Sequence, residues 1–214
     1  MTDKALQAQV EEELSWEPSI HGEQIGVSVK DGVVELDGHV SSYYEKWRAE
    51  RAALRVAGVR SIASEIKVDL PYEGKRTDED IARTAADHLR WNLLVPETVK
   101  VNVTDGAVTL SGTVDWQYQS DEAERVVRPL KGVKFVWNQI KLKPTVSTAV
   151  VKADIEDALK RNASIDASNI TVEASGGKVT LRGRLGSWAE REQAENAAWG
   201  APGVAEVEND IAIA

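Results

Sequence analysis

No cysteine occurs in the chain, so disulfides, thiolate zinc sites and a cysteine nucleophile are excluded together. Cations are outnumbered: 26 lysines and arginines face 35 aspartates and glutamates, a formal net charge of −9. Phosphate backbones need a basic surface, so nucleic acid is not an expected partner. No stretch approaches the roughly 20 apolar residues of a membrane-spanning helix. The start, Met1-Thr2-Asp3-Lys4-Ala5-Leu6 and then Glu11-Glu12-Glu13, lacks the basic beginning and apolar run of a secretory leader. The expectation is a soluble, cytoplasmic protein, or a periplasmic one if a leader has been removed. The three histidines, His21, His39 and His88, show no HExxH spacing or clustering, and no P-loop or GxSxG occurs. No catalytic residue, metal site or cofactor is expected. With 42% hydrophobic and 29% charged residues the composition is globular, and 214 residues suffice for two or three small domains.

What the chain does have is an internal repeat. Asp31–Lys46 (DGVVELDGHVSSYYEK), Asp105–Ser120 (DGAVTLSGTVDWQYQS) and Gly176–Arg191 (GGKVTLRGRLGSWAER) align on Gly32, Gly106 and Gly177. At the same offsets Gly38, Gly112 and Gly183 superpose, as do Gly58, Gly132 and Gly203, each followed by valine. Upstream, Ile25, Val27 and Val29 match Val99, Val101 and Val103, then Ile170, Val172 and Ala174. Leu6, Ile81 and Val151 match after a small loop-length change, as do Leu14, Leu89 and Leu159. Three homologous units follow, at residues 1–70, 77–143 and 147–214, joined near Pro71–Arg76 and Pro144–Val146.

The middle copy shows what one unit should build. Thr77 reads as an N-cap, with Asp78, Glu79 and Asp80 in the first helical turn. Ile81, Ala85 and Leu89 then give an amphipathic helix that ends before Pro96. Val99, Val101 and Val103 alternate with polar residues as a half-buried strand, and Asp105-Gly106 is a type I′ hairpin signal. Val108, Leu110 and Val114 form the buried side of a second strand. A second helix is predicted over Ser120–Leu130 and a third strand over Val133–Leu142. The predicted fold class is α+β: three tandem α-β-β-α-β domains, each a three-stranded mixed sheet with both helices on one face. The G-x-V-x-L-x-G core, the glycine-valine pair twenty residues on, and the late Asn138 and Asn209 resemble the BON domain, with Ser64 standing in the first copy where the others have asparagine. The resemblance implies a non-catalytic binding fold linked to phospholipid membranes, osmotic stress and envelope integrity, and in one branch to potassium.

Two further features bear on function. Seven tryptophans accompany a single phenylalanine. They read as core and inter-unit packing, or as interfacial anchors. From Arg125 to Lys143 there are cations and no acid: Arg125, Arg128, Lys131, Lys134, Lys141 and Lys143, with Trp137 among them. This is the stretch suited to an anionic surface, although cations near a helix end also complement its dipole. The leading expectation is peripheral association with anionic phospholipid or a membrane-associated partner. The alternatives are a soluble stress chaperone or scaffold acting on client proteins, and potassium sensing through turn carbonyls beside Asp31 or Asp105.

Overall fold

A carboxylate in the first helical turn ties each of the first two units together. The structure, a computed structural model, describes residues 2–72, 75–143, 152–162 and 167–213. Unit 1 opens with α1 (Asp3–Trp16) and unit 2 with α3 (Asp78–Trp91), whose starts are set by Thr2 and Thr77 accepting from the backbone N–H groups of Ala5 and Asp80. Asp3 then accepts from the N–H groups of Asp31 and Gly32, and Asp78 from those of Asp105 and Gly106 at 2.7 and 2.9 Å. The helix start is thereby fastened to the tip of a hairpin 27 residues away. In unit 3, α5 (Lys152–Arg161) buries Ile155 and Leu159. Val151, aligned with Leu6 and Ile81, lies outside the described residues, as does the linker stretch Pro144–Val146.

The hairpins are β1 (Ile25–Lys30) with β2 (Val33–Val40), β5 (Lys100–Thr104) with β6 (Ala107–Val114), and β8 (Ile170–Ser175) with β9 (Lys178–Leu185). Both turn residues have positive φ in every copy, 52° at Asp105 and 78° at Gly106, as a type I′ turn requires. The second repeated glycine answers a different need. A Cβ on Gly38, Gly112 or Gly183 would stand 2.2, 2.2 or 1.9 Å from the carbonyl oxygen of Gln24, Thr98 or Asn169. Only glycine lets the chain entering the first strand lie that close to the second.

The second helices are α2 (Tyr43–Arg55), α4 (Gln117–Val127) and α6 (Trp188–Trp199). A side chain at the third helical position folds back on each start: Glu45 accepts from Ser41 N–H, Gln119 from Asp115 and Trp116, and Glu190 from Gly186. This moves the start of α4 to Gln117, three residues before the Ser120 expected from sequence. Its end falls at Val127 rather than Leu130, because Pro129 cannot continue the backbone ladder. The third strands are β3 (Ser61–Ser64) with β4 (Lys67–Val68), β7 (Phe135–Leu142) and β10 (Glu206–Ile213). Strand β7 begins two residues after the expected Val133, since Val133 is still in the turn closed onto Leu130.

Each sheet places its second strand in the middle, antiparallel to the first and parallel to the third. Both helices cover one face, and the core lies between, around Val10, Leu14, Val34 and Leu36 in unit 1, Ile81, Val108 and Leu110 in unit 2, and Ile155, Leu159 and Leu181 in unit 3. The late asparagine fastens the third strand to the second helix. Asn138 donates to Ser120 Oγ at 3.0 Å and accepts from Ile140 N–H, while Asn209 donates to Glu195 and accepts from Ile211 N–H. In unit 1 the shorter Ser64 has a buried hydroxyl without a partner, and the strand is interrupted there.

Asp78→Ala removes a charged acceptor shared by two backbone donors and is expected to lower unfolding free energy by about 1–3 kcal/mol. Glu79→Ala, an exposed neighbour paired with Arg83, is expected to change it by under about 0.5 kcal/mol. Urea denaturation of both variants measures this, and equal losses contradict the tie between helix and hairpin.

Candidate functional site

The sheet face away from the helices is where the three units differ most. In unit 2 it carries Lys100 and Asn102 from β5, Thr109, Ser111 and Thr113 from β6, and Trp137, Gln139 and Lys141 from β7, all on one side by their pairing. None of these is acidic. The matching face of unit 1 includes Glu35 and Asp37. That of unit 3 holds Glu173, Glu206, Glu208 and Asp210, bridged by Lys178 and Arg182.

This face runs to an apolar tip. The end of α3, the loop after it and the start of α4 meet where β6 and β7 finish. Asn92 at the end of α3 donates to Glu122 of α4 at 2.7 Å, and Thr98 donates to the Thr113 carbonyl. Trp91 is 82% exposed and Leu93 98%, with Leu94, Trp116 and Tyr118 also exposed at this end. Large apolar side chains are thus left in water at one end of the unit, beside a polar face.

The residues expected from sequence to form one anionic-surface patch fall in three places. Trp137, 55% exposed, and Lys141 lie on the acid-free face, and Lys143 beside the tip, paired with Asp115 at 3.0 Å. Lys131 and Lys134 lie at the opposite end, where the Lys134 stem crosses the hairpin turn at Gly106. Arg125 on α4 and Arg128 at its C-cap, paired with Glu122 and Glu124 at 2.5 and 2.6 Å, are turned toward the other units. The apolar tip was missed because its residues come from two helices and a loop. Its sequence signal is the run Trp91-Asn92-Leu93-Leu94, apolar where a helix end should be polar.

The tryptophans divide accordingly. Trp16, Trp91, Trp116 and Trp137 are exposed, which overturns core packing for these four. Trp47 and Trp188 belong to a cleft of about 790 Å³ between α2, α4 and α6. The Arg128 guanidinium lies over the Trp47 ring at 4.0 Å and that of Arg191 over Trp188 at 4.8 Å. Arg128 Nε and Trp188 Nε1 are buried without hydrogen-bond partners. Nearby, Tyr43 of unit 1 is buried in the core of unit 2, its ring 5.4 Å from that of Phe135. Burial, and then the charge of Glu124, hold its hydroxyl above the usual tyrosine range.

The turns of the three hairpins are engaged within their own units. The turn carbonyls of Gly32, Gly106 and Gly177 accept from Arg60, Lys134 and Ala205 N–H. Among the described residues no group of three or more His, Cys, Asp or Glu could hold a metal ion, and no helix is long and apolar enough to cross a membrane. Arg48 and Arg55, on the cleft wall of α2, turn back onto the buried Glu17, at 2.6 and 3.2 Å.

Comparison with known proteins matches the BON-domain family profile at residues 2–69, 77–144 and 147–214. The chain is 38% identical over 148 residues to Osmotically-inducible protein Y of Escherichia coli (strain K12), covering 67% of this chain and 74% of that protein. Among solved structures, the C-terminal domain of CdsD, a structural protein of the type III secretion system of Chlamydia trachomatis, aligns over the full length of both chains at 15% identity. Its TM-score of 0.26 is too low to inform either fold or function.

Glu17 gives a test in pH. The bond from Arg48 is the largest influence, and with Ser19 and Arg55 it outweighs burial, taking the carboxyl from 4.5 to about 2. The folded value is the lower one, so the stabilisation is complete above about pH 4.5 and is lost as pH falls toward 2. Glu17→Gln is expected to cost up to about 3 kcal/mol at neutral pH and to flatten the acid limb of a stability–pH curve. An unchanged limb contradicts the assignment.

Proposed function

The chain belongs to the BON-domain family, three units of it in tandem, and from that premise we propose that it is a non-catalytic peripheral binding protein that docks on anionic phospholipid through its second unit. The observation that carries this reading is the acid-free sheet face of unit 2 running into an exposed apolar tip. Membrane interfaces favour this combination: tryptophan rings at headgroup depth, leucines below them, and lysines toward anionic headgroups. Burying one leucine-sized side chain contributes about 1.5–3 kcal/mol, and each lysine near an anionic surface about 1 kcal/mol. Trp91, Leu93 and Leu94 therefore outweigh Lys141 and Lys143. Binding should depend on the apolar tip first and on salt second. The net charge of −9 opposes approach in other orientations, so unit 2 leads.

Similarity to a protein named for osmotic induction supports placing this activity in the response to osmotic stress. Three similar units also suit a soluble chaperone or scaffold for client proteins, since repeated weak sites gain avidity. That reading leaves the acid-free face without a role.

Co-sedimentation with vesicles of phosphatidylglycerol and phosphatidylcholine tests the proposal. Trp91→Ala combined with Leu93→Ala is expected to weaken binding at least tenfold, in line with roughly 1.4 kcal/mol per factor of ten. Lys141→Glu with Lys143→Glu is expected to weaken it and to reduce its salt dependence. Lys131→Glu with Lys134→Glu, at the far end of the unit, is expected to have a smaller effect. Absence of binding, or binding indifferent to the tip, overturns the reading and favours the soluble scaffold.

A further inference from the structure

The three units are joined by two interfaces of opposite character. Unit 1 meets unit 2 through buried rings: Tyr43 within the second core, Phe135 against it, and Arg128 over Trp47. Unit 3 has a core made of its own residues. It meets unit 1 where α6 approaches α2, and the ion pair across that contact is between Arg51 and Glu192, both in contact with water, with side chains 38% and 47% exposed.

The net charges of the bodies work against this second contact. Residues 1–70 carry −5 and residues 77–143 carry −1, while residues 144–214 carry −4. The cleft is lined by both signs, six arginines and four carboxylates, so the repulsion resides in the net charges of the bodies and in particular acid pairs. Asp121 and Glu124 on α4 share its walls with Glu195 on α6. The cations on those walls are engaged: Arg128 with Glu124, Arg125 with Glu122, and Arg191 with the carbonyls of Ile211 and Asn209.

Salt acts unequally on these terms. A unit of about 70 residues has a radius of gyration of roughly 11 Å, so docked units hold their net charges roughly 20 Å apart. The Debye length falls from about 30 Å at 0.01 M to about 8 Å at 0.15 M. Repulsion between the bodies is felt at the lower ionic strength and largely screened at the higher. A guanidinium in contact with a carboxylate lies inside the Debye length at both, so its attraction is weakened far less.

We propose that the third unit is an ionic-strength-dependent arm, which swings away from the first two in dilute salt and closes onto them through Arg51–Glu192 as ionic strength rises. Closure completes the cleft between α2, α4 and α6 and leaves the joint of units 1 and 2 unchanged. The device is independent of the lipid-docking face, so either can fail alone.

Small-angle X-ray scattering of the full chain from 10 to 500 mM NaCl tests this. The radius of gyration is expected to fall by roughly a tenth or more as salt rises, toward about 17 Å for a compact chain of this length. Glu192→Gln and Glu195→Gln each remove one negative charge but should act in opposite directions. The first loses the contact pair and keeps the arm open to higher salt, while the second loses repulsion and closes it at lower salt. Circular dichroism checks that both variants are folded. KCl is expected to act as NaCl does. A radius that is constant or grows with salt, two variants that shift the same way, or a response to potassium alone overturns the proposal.

Discussion

Each unit depends on a place where two stretches of backbone touch. The carbonyl groups of Gln24, Thr98 and Asn169 press on the α-carbons of Gly38, Gly112 and Gly183, closer than any side chain would permit. That contact fixes where the first strand begins against the second. A register slip of one residue would turn every side chain of the hairpin to the opposite face. With register held, Val34 and Leu36, Val108 and Leu110, and Val179 and Leu181 are buried with the helices. The type I′ turn at the other end and the carboxylate of Asp3 or Asp78 act on the same hairpin, so its two ends and the helix start are fixed together.

A frame held this way leaves the remaining surfaces free to diverge, and they have. The open sheet face of unit 3 is a ladder of paired charges, while that of unit 2 has no acid and bears Trp137. Helix α2 uses Tyr43 to enter the core of its neighbour, and the corresponding residues Gln117 and Trp188 do not share that role. Function in a tandem array of this kind follows from those differences. The proposed lipid surface belongs to one unit, and the cleft and its arm exist only because there are three.

Much of the fold was legible in sequence because it rests on local chemistry. Thr77 as a cap, Asp105-Gly106 as a turn, and the spacing of Ile81, Ala85 and Leu89 each act over a few residues, and the structure bears them out. The error in α4 came from Gln119, whose capping role is silent until its side chain is seen on Asp115 and Trp116. The site was read less well for a physical reason. A run of cations in sequence passes from a helix through a turn into a strand, so Arg125, Lys134 and Lys141 end up on three different surfaces. Acids just outside the run engage part of it, Glu122 and Glu124 one helical turn before Arg125 and Arg128, and Asp115 across the fold from Lys143. The apolar tip joins residues from two helices and a loop, which only the fold brings together.

Docking of this kind requires that unit 2 insert its apolar tip into the headgroup region of an anionic bilayer. Quenching of tryptophan emission by lipids brominated at successive depths along the acyl chain measures it most directly. With vesicles containing phosphatidylglycerol, the account predicts quenching strongest for the shallowest bromine position. It also predicts that Trp91→Phe with Trp116→Phe abolishes most of it while binding persists in part. Emission indifferent to brominated lipid, or quenching unchanged in that double variant, would contradict it.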